Sequence, residues 1–197
     1  MREQIVEACV ARHRHERPPA ISLNLPVFPN LDAALCRVVT NDLAGVGNHW
    51  ECSLAVPELW RNLPAQSGLY MFVFRSPVAF GMQGHTSHRP SWVLYVGRAG
   101  SESSANTIKS RYKESYSKHL NGDPEVLWSN DMPLNRDERL AKYLTIYPIE
   151  FWWLPVPDRS KIKGLEDHLI KLLDPFLNAS QRLRLKAAPA QPAFRKY

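Results

Sequence analysis

The sequence predicts a small α/β (α+β) domain in which a three-stranded sheet is flanked by helices. A helical N-terminal extension precedes this domain in the chain. Two runs, residues 68–74 and 92–95, are rich in aromatic and β-branched residues and are bounded by turn formers, as strands are. A third run of this kind, LTIYPIEFWWLPV at residues 144–156, lies between two segments with helical periodicity. The alternation of these runs with helical segments favours a mixed fold over an all-helical one.

The N-terminal extension predicts two helices and a short third element. Residues 3–16 place a few apolar side chains on one face and a basic cluster on the other, and the helix is expected to stop at Pro18. That basic face suits either solvent or phosphate. Residues 31–43 predict the second helix, and residues 58–60 the third element.

The first two strands are separated by a long loop, residues 75–90, which we expect to join them as a hairpin. The loop contains His85 and His88. Two histidines without a third ligand are more typical of a polar loop than of a metal site.

The next segment, residues 104–119, has helical periodicity, with Ile108, Tyr112 and Ser115 on one stripe. Arg111 lies in the middle of this helix, from which it can reach a cleft beside the sheet. Residues 121–135 predict a loop or broken helix, and residues 136–142 a helix. Pro148 lies within the third strand run and favours an edge position or a bulge there.

The last predicted helix covers residues 162–173, with Asp158 and Ser160 as capping candidates. Leucines at helical spacing form its apolar stripe, and Glu166 lies beside that stripe. A lone glutamate near a helix start most often complements the helix dipole at the surface. Alternatively, its carboxylate projects into a cleft.

Composition limits the classes of partner and compartment. The net charge of +6 and the isoelectric point near 9.3 favour an anionic partner. The three cysteines are widely spaced and suggest reduced thiols rather than disulfides or a zinc ribbon. No run approaches the ~20 apolar residues of a membrane span, and residues 1–4 do not begin a signal peptide. We therefore expect a cytoplasmic protein that does not bind membranes.

Five pieces of sequence, taken in order, carry a resemblance to a known family. They are the triplet Gly-Leu-Tyr ending at Tyr70, the triplet Tyr-Val-Gly beginning at Tyr95, Arg111, Glu166, and Asn178 twelve positions after that glutamate. In this order they resemble the GIY-YIG nucleases over residues 66–178. The resemblance implies a nuclease domain over that range, with residues 1–65 as an extension and 179–197 as a basic tail. It also implies that the three strands are antiparallel.

The sequence departs from the family pattern in two places. One helical turn after the arginine, where the family has histidine or tyrosine, this chain has Ser115. Either one of the nearby residues Tyr112, Tyr116 and His119 takes over that role, or the role is absent and catalysis is weaker. The two triplets are also further apart than usual, because 25 positions separate Tyr70 from Tyr95.

The resemblance implies a metal-dependent endonuclease that hydrolyses DNA, with Tyr70, Tyr95, Arg111 and Glu166 as catalytic residues. Glu166 would hold one Mg²⁺ or Mn²⁺, and Arg111 would brace the phosphate oxygens with its planar guanidinium. Either Tyr70 or Tyr95 would take the proton of the attacking water. Since a phenol has a pKa near 10, this role needs nearby positive charge that favours phenolate.

Nucleic-acid contacts are expected from basic and polar residues around that site and in the tail. The candidates are Arg98, Lys109, Tyr116, His119, Asn178, Arg182 and Arg184. The tail arginines equally suit a solubilising chain end. A restriction-type role fits a compact domain with an extension at each end, and cutting both strands would favour a dimer. The alternatives are a catalytically weak or inactive nucleic-acid-binding module of the same fold and a basic protein-interaction domain.

Overall fold

The structure, a computed structural model, describes residues 2–12, 33–81, 89–128, 135–146 and 148–178. Within these ranges the chain forms six α-helices, four strands and two short 3₁₀ helices. The α-helices are α1 (Arg2–Arg12), α2 (Ala33–Ala44), α3 (Ile108–Ser115), α4 (Pro124–Trp128), α5 (Arg136–Leu144) and α6 (Arg159–Leu173). The strands are β1 (Glu51–Leu54), β2 (Gly68–Arg75), β3 (Ser91–Ala99) and β4 (Ile149–Pro155), and the 3₁₀ helices are Pro57–Arg61 and Ser117–His119.

The strands form one antiparallel sheet in the order β1-β4-β2-β3. The predicted α+β class is confirmed, but the sheet has four strands in place of the predicted three. The additional strand, β1, has the sequence ECSL, which lacks β-branched and aromatic residues and so gives no strand signal. It forms because β4 offers an unpaired edge, with Glu51 opposite Trp153.

Each face of the sheet is covered by its own apolar layer. One face packs against α3, α5 and the segment 57–63, in a layer rich in aromatic rings that includes Tyr70, Phe72, Tyr112, Tyr116 and Phe151. The opposite face packs against α6, through aliphatic side chains at alternate strand positions. Because side chains alternate along a strand, neighbouring residues of β2 belong to opposite layers, and those of β3 do so except at a bulge, where Leu94 and Tyr95 share the aromatic layer.

The segment from α2 to β1 packs on the α6 side of the sheet. Leu43, Val46 and Trp50 lie against the aliphatic layer, and His168 of α6 contacts Asp42 with 3.0 Å between Nδ1 and Oδ2. Residues 33–54 therefore belong to the same core as the predicted nuclease segment.

Several predicted boundaries change. The third strand begins at Ile149, since residues 136–144 are helical, and Pro148 lies before the strand. The expectation of an edge or bulge at Pro148 was wrong, because β4 lies inside the sheet between β1 and β2. The helix predicted from residue 104 begins at Ile108, where Thr107 and Ser110 form a capping box.

The remaining elements agree closely with prediction. α2 and α6 lie where helices were expected, and Asp158 caps α6 by accepting from the Ser160 amide at 3.1 Å. The predicted helix over residues 3–16 is α1, and positions 13–16 lie outside the described residues. Ser76 donates to the Pro90 carbonyl at 2.8 Å and so closes the base of the long loop. His85 and His88 lie outside the described part of the chain.

Candidate active site

Tyr70 lies at the centre of the candidate site, on the middle strand β2, and is only 1% exposed. Its hydroxyl oxygen is 2.6 Å from that of Tyr116, and Arg111 Nε donates to it at 3.5 Å. The Tyr95 ring lies 6.3 Å from the Tyr70 ring, measured between centroids. Three phenols and one guanidinium therefore meet on the α3 face of the sheet.

Gly97 makes room for this cluster. It lies opposite Tyr70 in the β2–β3 register, and the Tyr70 ring covers its α-carbon. A β-carbon at position 97 would lie 2.5 Å from Cζ and from the hydroxyl oxygen of Tyr70. The glycine of the second triplet is thus required by the tyrosine of the first.

Tyr116 directly follows Ser115, the serine at the position where the family pattern has histidine or tyrosine. α3 ends at Ser115, and Tyr116 leaves the helix with φ −123° and ψ −38°. This turn directs its ring edge-on toward Tyr70, with centroids 5.6 Å apart. The residue one position beyond the family's histidine or tyrosine therefore supplies a hydroxyl to the cluster.

Burial controls the protonation of these phenols. It raises the pKa of Tyr70 well above the usual value, and repulsion from Tyr95 adds to this, whereas Arg111 opposes it. The pKa of Tyr116 is raised for the same first reason and by both neighbouring tyrosines. Arg111 by itself does not favour a phenolate at Tyr70, because desolvation outweighs the nearby guanidinium.

Arg111 remains a cation, since Tyr70 raises its pKa further despite partial burial. Only its Nε contacts the cluster, and its two terminal nitrogens make no hydrogen bond to any other described residue. The side chain is partly exposed. It can therefore bind an anion while it remains anchored to Tyr70.

Glu166 and Arg98 lie on the other face of the sheet. Glu166 is on α6 and 7% exposed, and its Oε2 is 2.9 Å from Arg98 Nη1. Arg98 follows Gly97 on β3, so its side chain points away from the tyrosines. Since β3 is an edge strand, the two groups flank the same sheet edge from opposite sides.

The ion pair between Arg98 and Glu166 is close but imperfect. Nη1 of Arg98 is buried and has no aligned hydrogen-bond acceptor among the described residues, although the carboxylate lies within salt-bridge distance. The Glu166 carboxylate offers the oxygen ligands that Mg²⁺ prefers, but Arg98 neutralises it. No group of three or more candidate ligand side chains is found in the described ranges. A divalent ion at Glu166 would therefore compete with Arg98 for the carboxylate and take its other ligands from water and substrate.

Asn178 has a positioning role. Its side chain is buried and uses both polar atoms on Val96, accepting from the amide at 2.9 Å and donating to the carbonyl at 2.8 Å. These bonds hold the middle of β3, between Tyr95 and Gly97. For a phosphate contact, Asn178 would have only the second hydrogen of its Nδ2 to donate.

Comparison with known proteins does not identify a family. No protein-family model, curated protein or solved structure matches the chain. No helix in the described parts of the chain is long and apolar enough to cross a membrane.

The remaining predicted residues are spread around the molecule. Lys109 lies on α3, and its Nζ donates to the Arg61 carbonyl at 3.4 Å. His119 lines a cavity of about 550 Å³ beside α5, where burial lowers its pKa. Arg182 and Arg184 lie outside the described residues.

Sequence reasoning missed Trp60, Arg61 and Lys113: the two cations lie with Lys109 over the Trp60 ring. The spacing of Lys109 and Lys113, four positions apart on one helix, was the available signal.

Proposed function

We propose that the protein is a metal-dependent endonuclease that hydrolyses DNA phosphodiester bonds at a site of the GIY-YIG type. The cluster of Tyr70, Tyr116 and Arg111 carries the proposal. In this cluster a partly exposed guanidinium lies beside buried phenols, and the Tyr70 ring lies over Gly97, where only glycine fits. An antiparallel sheet with helices on both faces supports the proposal, although it has four strands rather than three.

Arg111 binds the phosphate in this mechanism. Hydrolysis concentrates negative charge on the non-bridging oxygens, and a fixed cation at that point stabilises the transition state. Tyr70 holds Arg111 through Nε, which leaves the terminal nitrogens for the phosphate.

Tyr70, Tyr95 and Tyr116 have different roles in this mechanism. Tyr70 stays protonated at neutral pH because burial raises its pKa, so it positions Arg111 and Tyr116 and does not act as a base. Tyr95 is then the candidate for accepting the water proton. Tyr116 supplies the phenol that is absent at Ser115.

Glu166 would hold Mg²⁺ or Mn²⁺, with Arg98 released from the carboxylate to pair with the substrate backbone. When bound, a divalent ion lowers the pKa of its water and offsets charge on the phosphate. The β3 edge lets a nucleic-acid strand contact Arg111 on one face and Arg98 on the other.

Cleavage of supercoiled plasmid in Mg²⁺, Mn²⁺ or EDTA tests the proposal. We expect nicking or linearisation with metal, abolished in Glu166→Gln and reduced by about 100-fold or more in Arg111→Gln. Asp167→Asn, which removes one carboxylate from the adjacent position of α6, is the matched control and should cleave normally. Equal cleavage by Glu166→Gln and wild type would overturn the metal role, and cleavage in EDTA would overturn metal dependence.

The competing function is a nucleic-acid-binding module without cleavage. The Arg98–Glu166 pair favours it, because a neutralised carboxylate binds divalent ions poorly. This alternative predicts salt-sensitive binding of DNA by the wild type with no product under any metal condition.

A further inference from the structure

Three cationic side chains lie close to one aromatic ring at the surface. Arg61 Cζ, Lys109 Nζ and Lys113 Nζ lie 5.6, 5.9 and 4.6 Å from the centroid of the Trp60 ring. We call these four residues the Trp60 cluster. Arg61 and Lys113 are exposed, and Trp60 and Lys109 are partly buried.

The charges of the Trp60 cluster are not balanced by the protein. None of the three cations forms an ion pair with a carboxylate of the described residues. Glu114 follows Lys113 in the sequence and Glu58 lies two positions before Trp60, but neither forms an ion pair with these cations. Three like charges on one ring repel one another, and an anion between them relieves that repulsion.

The position of the Trp60 cluster relative to Arg111 points to the kind of anion. The stripe of α3 containing Ile108 and Tyr112 is buried against the sheet. Lys109 and Lys113 flank that stripe on one side and Arg111 on the other, as the ~3.6-residue period of a helix requires. A ligand that crosses α3 therefore contacts both groups.

The width of the helix sets the length of that ligand. An α-helix with its side chains is about 10 Å across, and each strand of a DNA duplex advances about 3.4 Å per nucleotide along the duplex axis. About three nucleotides therefore separate a phosphate on Arg111 from a phosphate at the Trp60 cluster. A mononucleotide or inorganic phosphate is too short to reach both.

We propose that the Trp60 cluster binds a backbone phosphate of a polynucleotide, about three nucleotides from the phosphate held by Arg111. The assignment of Arg111 rests on the proposed function, whereas the cluster itself rests on its own charges. Because one ligand has to reach both the cluster and Arg111, the substrate is a nucleic-acid chain of several nucleotides rather than a small phosphoester.

The test is the binding of a labelled DNA duplex of about 20 base pairs, by fluorescence anisotropy in EDTA at several salt concentrations. The double variant Lys109→Gln/Lys113→Gln should bind about tenfold more weakly and lower the slope of log K against log [salt] by about one to two. Lys163→Gln, which removes one charge from the exposed side of α6, should retain the wild-type affinity and slope. Thermal melting checks that all variants remain folded.

The outcomes separate this inference from the endonuclease proposal. An unchanged slope in the double variant, with cleavage intact, overturns the phosphate site and leaves the endonuclease standing. A reduced slope with no cleavage by the wild type supports the phosphate site and overturns the endonuclease. An equal loss in Lys163→Gln and the double variant shows a diffuse charge effect and overturns the site.

Discussion

The hydroxyl oxygens of Tyr70 and Tyr116 lie 2.6 Å apart, each on a side chain that is nearly inaccessible to solvent. The two residues are 46 positions apart in the sequence. This bond ties the middle strand of the sheet to the end of α3, and Arg111 joins it from the same helix.

Removing either hydroxyl should destabilise the fold. Tyr70→Phe and Tyr116→Phe each leave a buried partner with a lost hydrogen bond, which costs about 1–2 kcal/mol. Urea unfolding of both single variants and the double variant gives the coupling energy, expected to be about 1 kcal/mol. A coupling of zero would show that the bond does not contribute to stability.

Substitution of Gly97 should be costly. The β-carbon of Gly97→Ala would overlap the Tyr70 ring, and we expect a loss of about 1–3 kcal/mol in the free energy of unfolding. Gly164→Ala is the matched control, because it is inside α6 and nothing lies within 4 Å of the position that its β-carbon would take. That variant should gain up to about 1 kcal/mol. Destabilisation of equal size in both variants, measured by urea unfolding, would contradict the role of the ring.

Stability should fall in strong alkali. The pKa of Tyr70 is raised in the folded protein, so the protonated phenol is favoured by folding. The resulting stability is fully present below the unfolded pKa near 10 and is lost as pH rises through the higher folded value. Urea midpoints between about pH 8 and about pH 11.5 should decline less steeply for the double variant Tyr70→Phe/Tyr116→Phe than for wild type. An identical decline would mean that other groups control alkaline unfolding.

Arg98 should limit metal binding at Glu166. Arg98→Gln leaves a buried carboxylate without its cation, and we expect a loss of about 1–3 kcal/mol, less than for a fully buried pair because Arg98 is partly exposed. The same variant should gain more in melting temperature from millimolar Mg²⁺ than wild type does, since the competing cation is gone. Adding Glu166→Gln to the variant should abolish that gain. A gain that persists would place the metal elsewhere.

Several elements could be predicted directly from the sequence because their signals are local. The aromatic strands β2 and β3, the capped helix α6 and the α+β class follow from periodicity and capping residues. The clustering of Tyr70, Tyr95 and Arg111 was expected from a resemblance in residue order, and the structure brings these three side chains together.

Other features depended on partners distant in sequence. β1 has no strand signal of its own and forms on the edge that β4 offers. Pro148 lies outside β4, because helix α5 extends to Leu144 and the strand begins only at Ile149. Tyr116 brings its phenol to Tyr70 only because α3 ends at Ser115 and the chain turns there.

The sequence by itself determined the strand and helix types, the basic character and the set of candidate residues, since these depend on side-chain chemistry and short-range periodicity. Tertiary structure alone decided which of those residues meet. Strand alternation placed Arg98 and Glu166 on one face of β3 and the tyrosines with Arg111 on the other. Burial then decided the protonation of Tyr70, because desolvation depends on every neighbouring element and is not encoded at any single position.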